Sequence, residues 1–224
     1  MLLEIEGLLQ EAQLKKIDEI LAQGNFVDGR LSAGKAASRV KNNEELQGEQ
    51  QQMELLIRIL TSAMAHNTRF RSAVLPYRMA DPIFARYRPG MTYGDHVDDP
   101  LMGLSGQRFR SDVSMTLFLR DPESYDGGEL VVRTSFGEKR VKLGAGSAVI
   151  YPSSSLHHVA EVTRGERLVA LAWIQSYVRD PALRELLYEL DLAREHLLET
   201  VPDGPATGLV DKSYANLLRM WGDV

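Results

Sequence analysis

The chain contains no cysteine. That excludes disulfides and thiolate metal sites, so any metal ion must be held by histidine, aspartate or glutamate. It also lacks a surplus of positive charge. A formal net charge of −5 gives no general electrostatic reason to bind nucleic acid or an anionic membrane. No uncharged apolar run approaches the roughly 20 residues that span a bilayer. The opening Met1-Leu2-Leu3-Glu4-Ile5-Glu6 has neither the basic stretch nor the long apolar core of a secretory signal. These absences set the expectation of a soluble, cytoplasmic protein with no nucleic-acid or membrane partner. Histidine is scarce as well, with five among 224 residues, so where they fall carries information.

Hydrophobic content of 44% and charged content of 25% are ordinary for a globular chain, and the length suits one catalytic domain with short extensions. Leu14, Ile17, Ile20 and Leu21 fall on a helical stripe between about Leu9 and Gln23, with Gly24 as the stop. Met53, Leu56, Ile57, Leu60 and Met64 predict a second helix from Glu49 to about His66. After Asn67 the pattern changes to short strands bounded by Pro and Gly: Phe70–Leu75, Pro82–Tyr87, Ser111–Leu119, Glu129–Arg133, Lys139–Leu143, Ser147–Tyr151, Leu156–Val162 and Arg167–Ser176. The segment Asp180–Leu198 returns to helix. A loop with Pro202, Gly204 and Pro205 follows, then a short amphipathic stretch bearing Tyr214, Leu217, Leu218 and Trp221. The expected fold is α+β, a double-stranded β-helix (jelly roll) with helices packed outside. Three parts are expected: an N-terminal helical and extended segment (residues 1–77), a core (78–178) and a C-terminal helical extension (179–224). The leucine stripe of that extension leaves two uses open, docking on the core or forming a homodimer seam.

Three of the five histidines sit in two short segments, at His96, His157 and His158. On an extended segment, residues two apart return to the same face, so His96 and Asp98 can reach one metal ion. A His-x-Asp pair with a distant imidazole is the ligand set of a 2-His-1-carboxylate facial triad. It leaves three coordination positions open and marks non-haem Fe(II) oxygenases. His157 and His158 point to opposite faces of a strand, so one of them completes the set. Arg167, ten residues beyond His157, supplies a fixed, always-charged fork suited to a carboxylate. At a surface it would instead pair with Glu161 or Glu166, a contact worth little.

The stretch Tyr87-Arg88-Pro89-Gly90-Met91-Thr92-Tyr93-Gly94-Asp95-His96-Val97-Asp98 resembles the first motif of the prolyl/lysyl 4-hydroxylase-like Fe(II)/2-oxoglutarate dioxygenases. Tyr151–His157 followed by Thr163–Arg167 resembles the second, and the wording of both is similar to the bacterial PKHD-type hydroxylases. Gly127-Gly128-Glu129-Leu130, Trp173-Ile174-Gln175-Ser176, Asp28-Gly29 and Lys41-Asn42-Asn43 extend the likeness over nearly the whole chain.

The resemblance implies a hydroxylase using Fe(II), 2-oxoglutarate and O2, with L-ascorbate restoring oxidised iron. It selects His96, Asp98 and His157 as metal ligands and puts Arg167 and Tyr87 on the distal carboxylate of 2-oxoglutarate. Ser114 and Thr116 are further candidate hydroxyls there, since Phe118 stands where some relatives carry tyrosine. The primary substrate, a small molecule or peptide, is expected to meet the loop Asp99–Arg110, through Met102, Leu104, Gln107, Arg108 and Arg110, and the stretch Asp121–Gly128. The loop is also a candidate lid. Bacterial relatives are associated with iron uptake. The competing reading is a cupin-like iron-binding or iron-sensing protein with little turnover.

Overall fold

The computed structural model describes residues 1–103 and 106–223. Two antiparallel sheets face each other. In the larger, the strands run in the order Leu3–Ile5, Ala148–Pro152, Val113–Phe118, Arg167–Ser176, Ile83–Tyr87, Glu44–Gln47 and Asn25–Asp28, and Pro76–Met79 pairs with the far end of Arg167–Ser176. The smaller orders Gly137–Val141, Leu130–Thr134, His157–Val159, Thr92–His96 and Lys41–Asn42. The arrangement is a jelly roll with helices on the outside, an α+β fold.

The central strands of the larger sheet are buried on both faces. Val113, Met115 and Leu117, with Leu168, Ala170, Ala172 and Ile174, pack outward into a cluster with Ile17, Leu56, Leu60, Phe70 and Val74. Those last residues belong to α1 (Glu11–Leu21), α2 (Gln50–His66) and α3 (Thr68–Val74). Side chains of alternate parity (Phe118, Val149, Tyr151 and Val169) point inward to a second cluster with Leu130, Val132 and Val159 of the smaller sheet. Double coverage explains why Ala148–Pro152 and Arg167–Ser176 read as near-continuous apolar runs. Leu56 and Leu60 are fully buried, and each such side chain stabilises by about 1.5–3 kcal/mol relative to exposure.

Three expectations need correction. Where strand was expected over Phe70–Leu75, Phe70–Val74 is helix, within α3, and Leu75 caps its end. The Asn67 side chain accepts from the Phe70 N–H at 2.8 Å and caps α3. Phe70, Ala73 and Val74 then turn one buried face inward. Leu156–Val162 is two short strands, His157–Val159 and Val162–Arg164, which pair with different partners. The amphipathic stretch after the loop is longer than expected, a 17-residue helix, α5 (Pro205–Trp221), that begins at Pro205 itself with proline in its first turn.

It lies against α4 (Pro181–Thr200), whose N-terminus Asp180 caps through the Ala182 N–H at 2.7 Å. Arg194 of α4 reaches Asp211 of α5 at 2.6 Å. Leu75, Val178 and Leu187 anchor this hairpin to the core with Leu183, Tyr214, Leu217, Leu218 and Trp221. Leu183 and Leu187 of the C-terminal leucine stripe are therefore used for docking within the chain, while Leu186 stays exposed. Among the described residues, no helix is long and apolar enough to cross a membrane.

Candidate metal centre

His96 ends the strand Thr92–His96, and its neighbour across the sheet is His157, the first residue of His157–Val159. Each imidazole is fixed by its own backbone. His96 Nδ1 lies 2.8 Å from the Gly94 carbonyl and His157 Nδ1 lies 2.9 Å from the Ser155 carbonyl. A carbonyl only accepts, so each Nδ1 carries the proton and donates it, leaving the Nε2 lone pairs free. Both Nε2 atoms point at Asp98, each 3.8 Å from its Oδ1. The three ligating atoms lie within 4.8 Å of one another, a spacing one metal ion fills. Burial first, then the neighbouring His157, holds the His96 imidazole down at about 4. It is therefore neutral and ready to ligate at physiological pH.

Aromatic rings brace both imidazoles. Tyr93 stacks on His96 with centroids 3.6 Å apart, and the edge-on ring of Tyr151 lies 5.0 Å from His157. Behind Tyr93, Lys41 forms a buried ion pair with Glu45 at 2.5 Å. His158 turns to the opposite face, where its Nδ1 meets Asp95 at 3.0 Å.

The three groups open onto a cavity of about 230 Å³ that also takes in Arg167 and Tyr87. Arg167 is 1% exposed, and none of its three guanidinium nitrogens has a partner among the described residues. It sits over the rings of Tyr87 and Phe118, 4.9 Å and 5.7 Å from their centroids. A buried charge with unfilled donors is costly, by several kcal/mol, and an anion in the cavity is a partner that could satisfy it. Burial pushes the Tyr87 hydroxyl up, with Arg167 opposing. The phenol stays protonated and able to donate. Arg164, by contrast, is exposed and engaged with Asp126 at 2.7 Å. Gly128 makes room for Arg167: a Cβ there would lie 2.9 Å from the Arg167 Cδ.

The cavity lining and the substrate residues expected from the sequence overlap only in part. Met102 lines the cavity, but Gln107 and Arg108 are exposed and do not, and Arg110 is held by Asp112 at 2.6 Å. Leu104 lies outside the described residues. The Asp121–Gly128 stretch sits behind Arg167 without lining the cavity. Further lining comes from Ser32–Ala37, together with Val97, Trp173 and Asp99 of the expected loop. Among the residues missed from the sequence, Tyr93 and Tyr151 lie inside the quoted motifs and Lys41 within a quoted stretch. Ser32–Ala37 carried no signal.

Known proteins share this architecture and these motifs. The 2OG-Fe(II) oxygenase superfamily model matches residues 82–175, and the PKHD-type hydroxylase C-terminal domain matches residues 182–223. A PKHD-type hydroxylase of Thioalkalivibrio sulfidiphilus is 53% identical over 224 residues, covering all of both chains. One from Thermosynechococcus vestitus is 45% identical over 224 residues, again covering both chains fully. Among solved structures, a prolyl hydroxylase from Trichoplax adhaerens superposes with a TM-score of 0.56 at 16% identity, covering 83% of this chain and 86% of that one. A Pseudomonas putida prolyl-4-hydroxylase gives 0.52 at 19%, covering 78% and 92%. At such identities these two show the fold. The full-length identities and the two matched domains show that the chain belongs to the PKHD-type hydroxylases, enzymes of the 2OG-Fe(II) oxygenase superfamily.

Proposed function

We propose that His96, Asp98 and His157 hold a single Fe(II) and that Arg167 and Tyr87 hold the distal carboxylate of 2-oxoglutarate in the same cavity. When bound, iron and 2-oxoglutarate supply the oxidation: O2 and 2-oxoglutarate are consumed, succinate and CO2 are released, and one oxygen atom enters a C–H bond of the substrate as a hydroxyl. The chain's own contribution is position, charge and exclusion of water. The Nδ1–carbonyl bonds aim two neutral imidazoles at one point, and Asp98 adds the negative charge that favours a divalent ion. Arg167 neutralises the far end of the co-substrate, and the protonated Tyr87 adds a neutral donor.

The observation that carries this reading is the pairing of a converging His-Asp-His set with a buried, partnerless guanidinium in one cavity. A protein that only stored or sensed iron would need no such anion site. The primary substrate is a small molecule or peptide that enters past Ser32–Ala37, and its link to iron uptake is carried by the family resemblance. Ascorbate serves as the reductant that returns iron oxidised in uncoupled turnover to Fe(II). With Fe(II), O2, ascorbate and 2-oxoglutarate supplied, the substrate-free protein releases succinate slowly. Stoichiometric iron without succinate would favour the sensing alternative.

A further inference from the structure

Asp98 is the one member of the triad without a backbone anchor. The two histidines belong to paired strands and are tied through Nδ1. Asp98 lies two residues past the end of its strand, in a segment with no regular structure. Its two oxygens have different surroundings. Oδ1 faces the histidine Nε2 atoms, 3.8 Å from each. Oδ2 lies 2.5 Å from the hydroxyl of Ser114, which in turn lies 2.8 Å from the hydroxyl of Ser153.

Resting on the metal site proposed above, we propose that Ser114, backed by Ser153, is a positioning residue that holds Asp98 as a one-oxygen ligand. A carboxylate only accepts, and Ser114 has a single proton, so that proton goes to Asp98 Oδ2 and Ser153 donates to the Ser114 oxygen. Both serines are nearly inaccessible, at 3% and 2% exposed. Ser114 is rigid because its strand is paired on both sides, opposite Tyr151 on one and Trp173 on the other. The Ser153 N–H is bonded to the Asp112 carbonyl at 3.1 Å. Polar groups this deeply buried in a central strand are costly unless they are used, and here the pair ends on a metal-facing carboxylate.

The consequence concerns the coordination positions. Three single-atom protein ligands leave three positions, and 2-oxoglutarate and O2 need all of them. If Oδ2 were free to turn toward the metal, Asp98 would take a second position and compete with the co-substrate. Ser114 keeps Oδ2 turned away.

The test uses the whole chain, anaerobically, with Fe(II) titrated first and 2-oxoglutarate second, followed through the visible band that chelation produces. Ser114→Ala is expected to weaken Fe(II) binding by about 10–100-fold, the usual effect of removing a group that orients a ligand. The same variant should develop the band only at raised 2-oxoglutarate. Ser153→Ala should lose less, because Ser114 keeps its proton on Asp98. Metal-free melting temperatures of the variants control for packing. Ser114→Ala matching wild type in both titrations overturns the inference while leaving the metal site standing. So do equal losses in both variants that merely track a lowered melting temperature. A wild-type chain that binds no Fe(II) overturns the metal site and this inference with it.

Discussion

Asp95 and His158 meet at 3.0 Å on the outer face of the same strand pair whose inner face brings His96 and His157 together. Asp95 also takes Arg133 at 2.7 Å. One residue of offset thus separates a solvent-facing ion cluster from the metal-facing imidazoles. The outer pair is partly exposed and worth about 1 kcal/mol or less. His158→Ala should therefore keep tight Fe(II) binding, whereas His157→Ala should abolish it. Anaerobic titration of both variants checks this, and the reverse pattern would move the ligand assignment to His158.

Arg167→Ala should raise the apparent 2-oxoglutarate constant at least about tenfold. Losing a sheltered charge-assisted contact costs on the order of 2–5 kcal/mol. Iron should stay bound. Arg167→Lys should recover part of the affinity, because a point charge does not reproduce the fork. Arg164→Ala, which removes only an exposed pair with Asp126, should leave the constant where it was. Initial rates of succinate release against 2-oxoglutarate concentration decide between the two arginines.

Gly128→Ala tests the space behind Arg167. The position has a φ of +68°, which costs an L residue about 1–2 kcal/mol, and the new methyl would press on the Arg167 stem. A lowered melting temperature is expected together with weaker 2-oxoglutarate binding. A stability loss with an unchanged 2-oxoglutarate constant would show that Arg167 does not depend on this glycine.

The metal-free protein should lose stability as pH falls from about 6.5 to about 4. Burial and His157 hold the folded His96 at about 4, below the ordinary value, so in that window the unfolded chain binds the extra proton and stability rises with pH. The difference is on the order of 3 kcal/mol. Comparing denaturant unfolding of wild type and His96→Asn across the window isolates it. Parallel curves for the two proteins would count against a buried, neutral His96.

Much of the candidate site was legible because its chemistry uses rare residues at fixed spacing: His96, Asp98 and Arg167 stand out in the chain, while the choice of His157 over His158 comes from the family resemblance. The core strands were legible too, since Val113–Phe118 alternates apolar residues on one face and Arg167–Ser176 carries them on both. What escaped depends on pairing rather than on local preference. Thr92–His96 is polar and contains Gly94, and it is held extended by Lys41–Asn42 on one side and His157–Val159 on the other. Phe70–Leu75 was too short for period to decide between helix and strand, and the Asn67 cap decided it. The sequence expects the loop Asp99–Arg110 to meet the substrate, and Asp99 and Met102 of it line the cavity; that Ser32–Ala37 joins them from the N-terminal segment follows only from the fold. In the sequence, Ser114 is only a further candidate hydroxyl for the co-substrate. Its neighbour Asp98, sixteen residues earlier, becomes visible only once the strand is in place.

The account's central claim is that one cavity holds both Fe(II) and 2-oxoglutarate. Its most direct test is anaerobic absorption spectroscopy of the iron-loaded chain as 2-oxoglutarate is added. The wild-type protein should develop a visible charge-transfer band that saturates at one equivalent of each, and Asp98→Ala should develop none. Stoichiometric iron binding with no band on adding 2-oxoglutarate would contradict the claim.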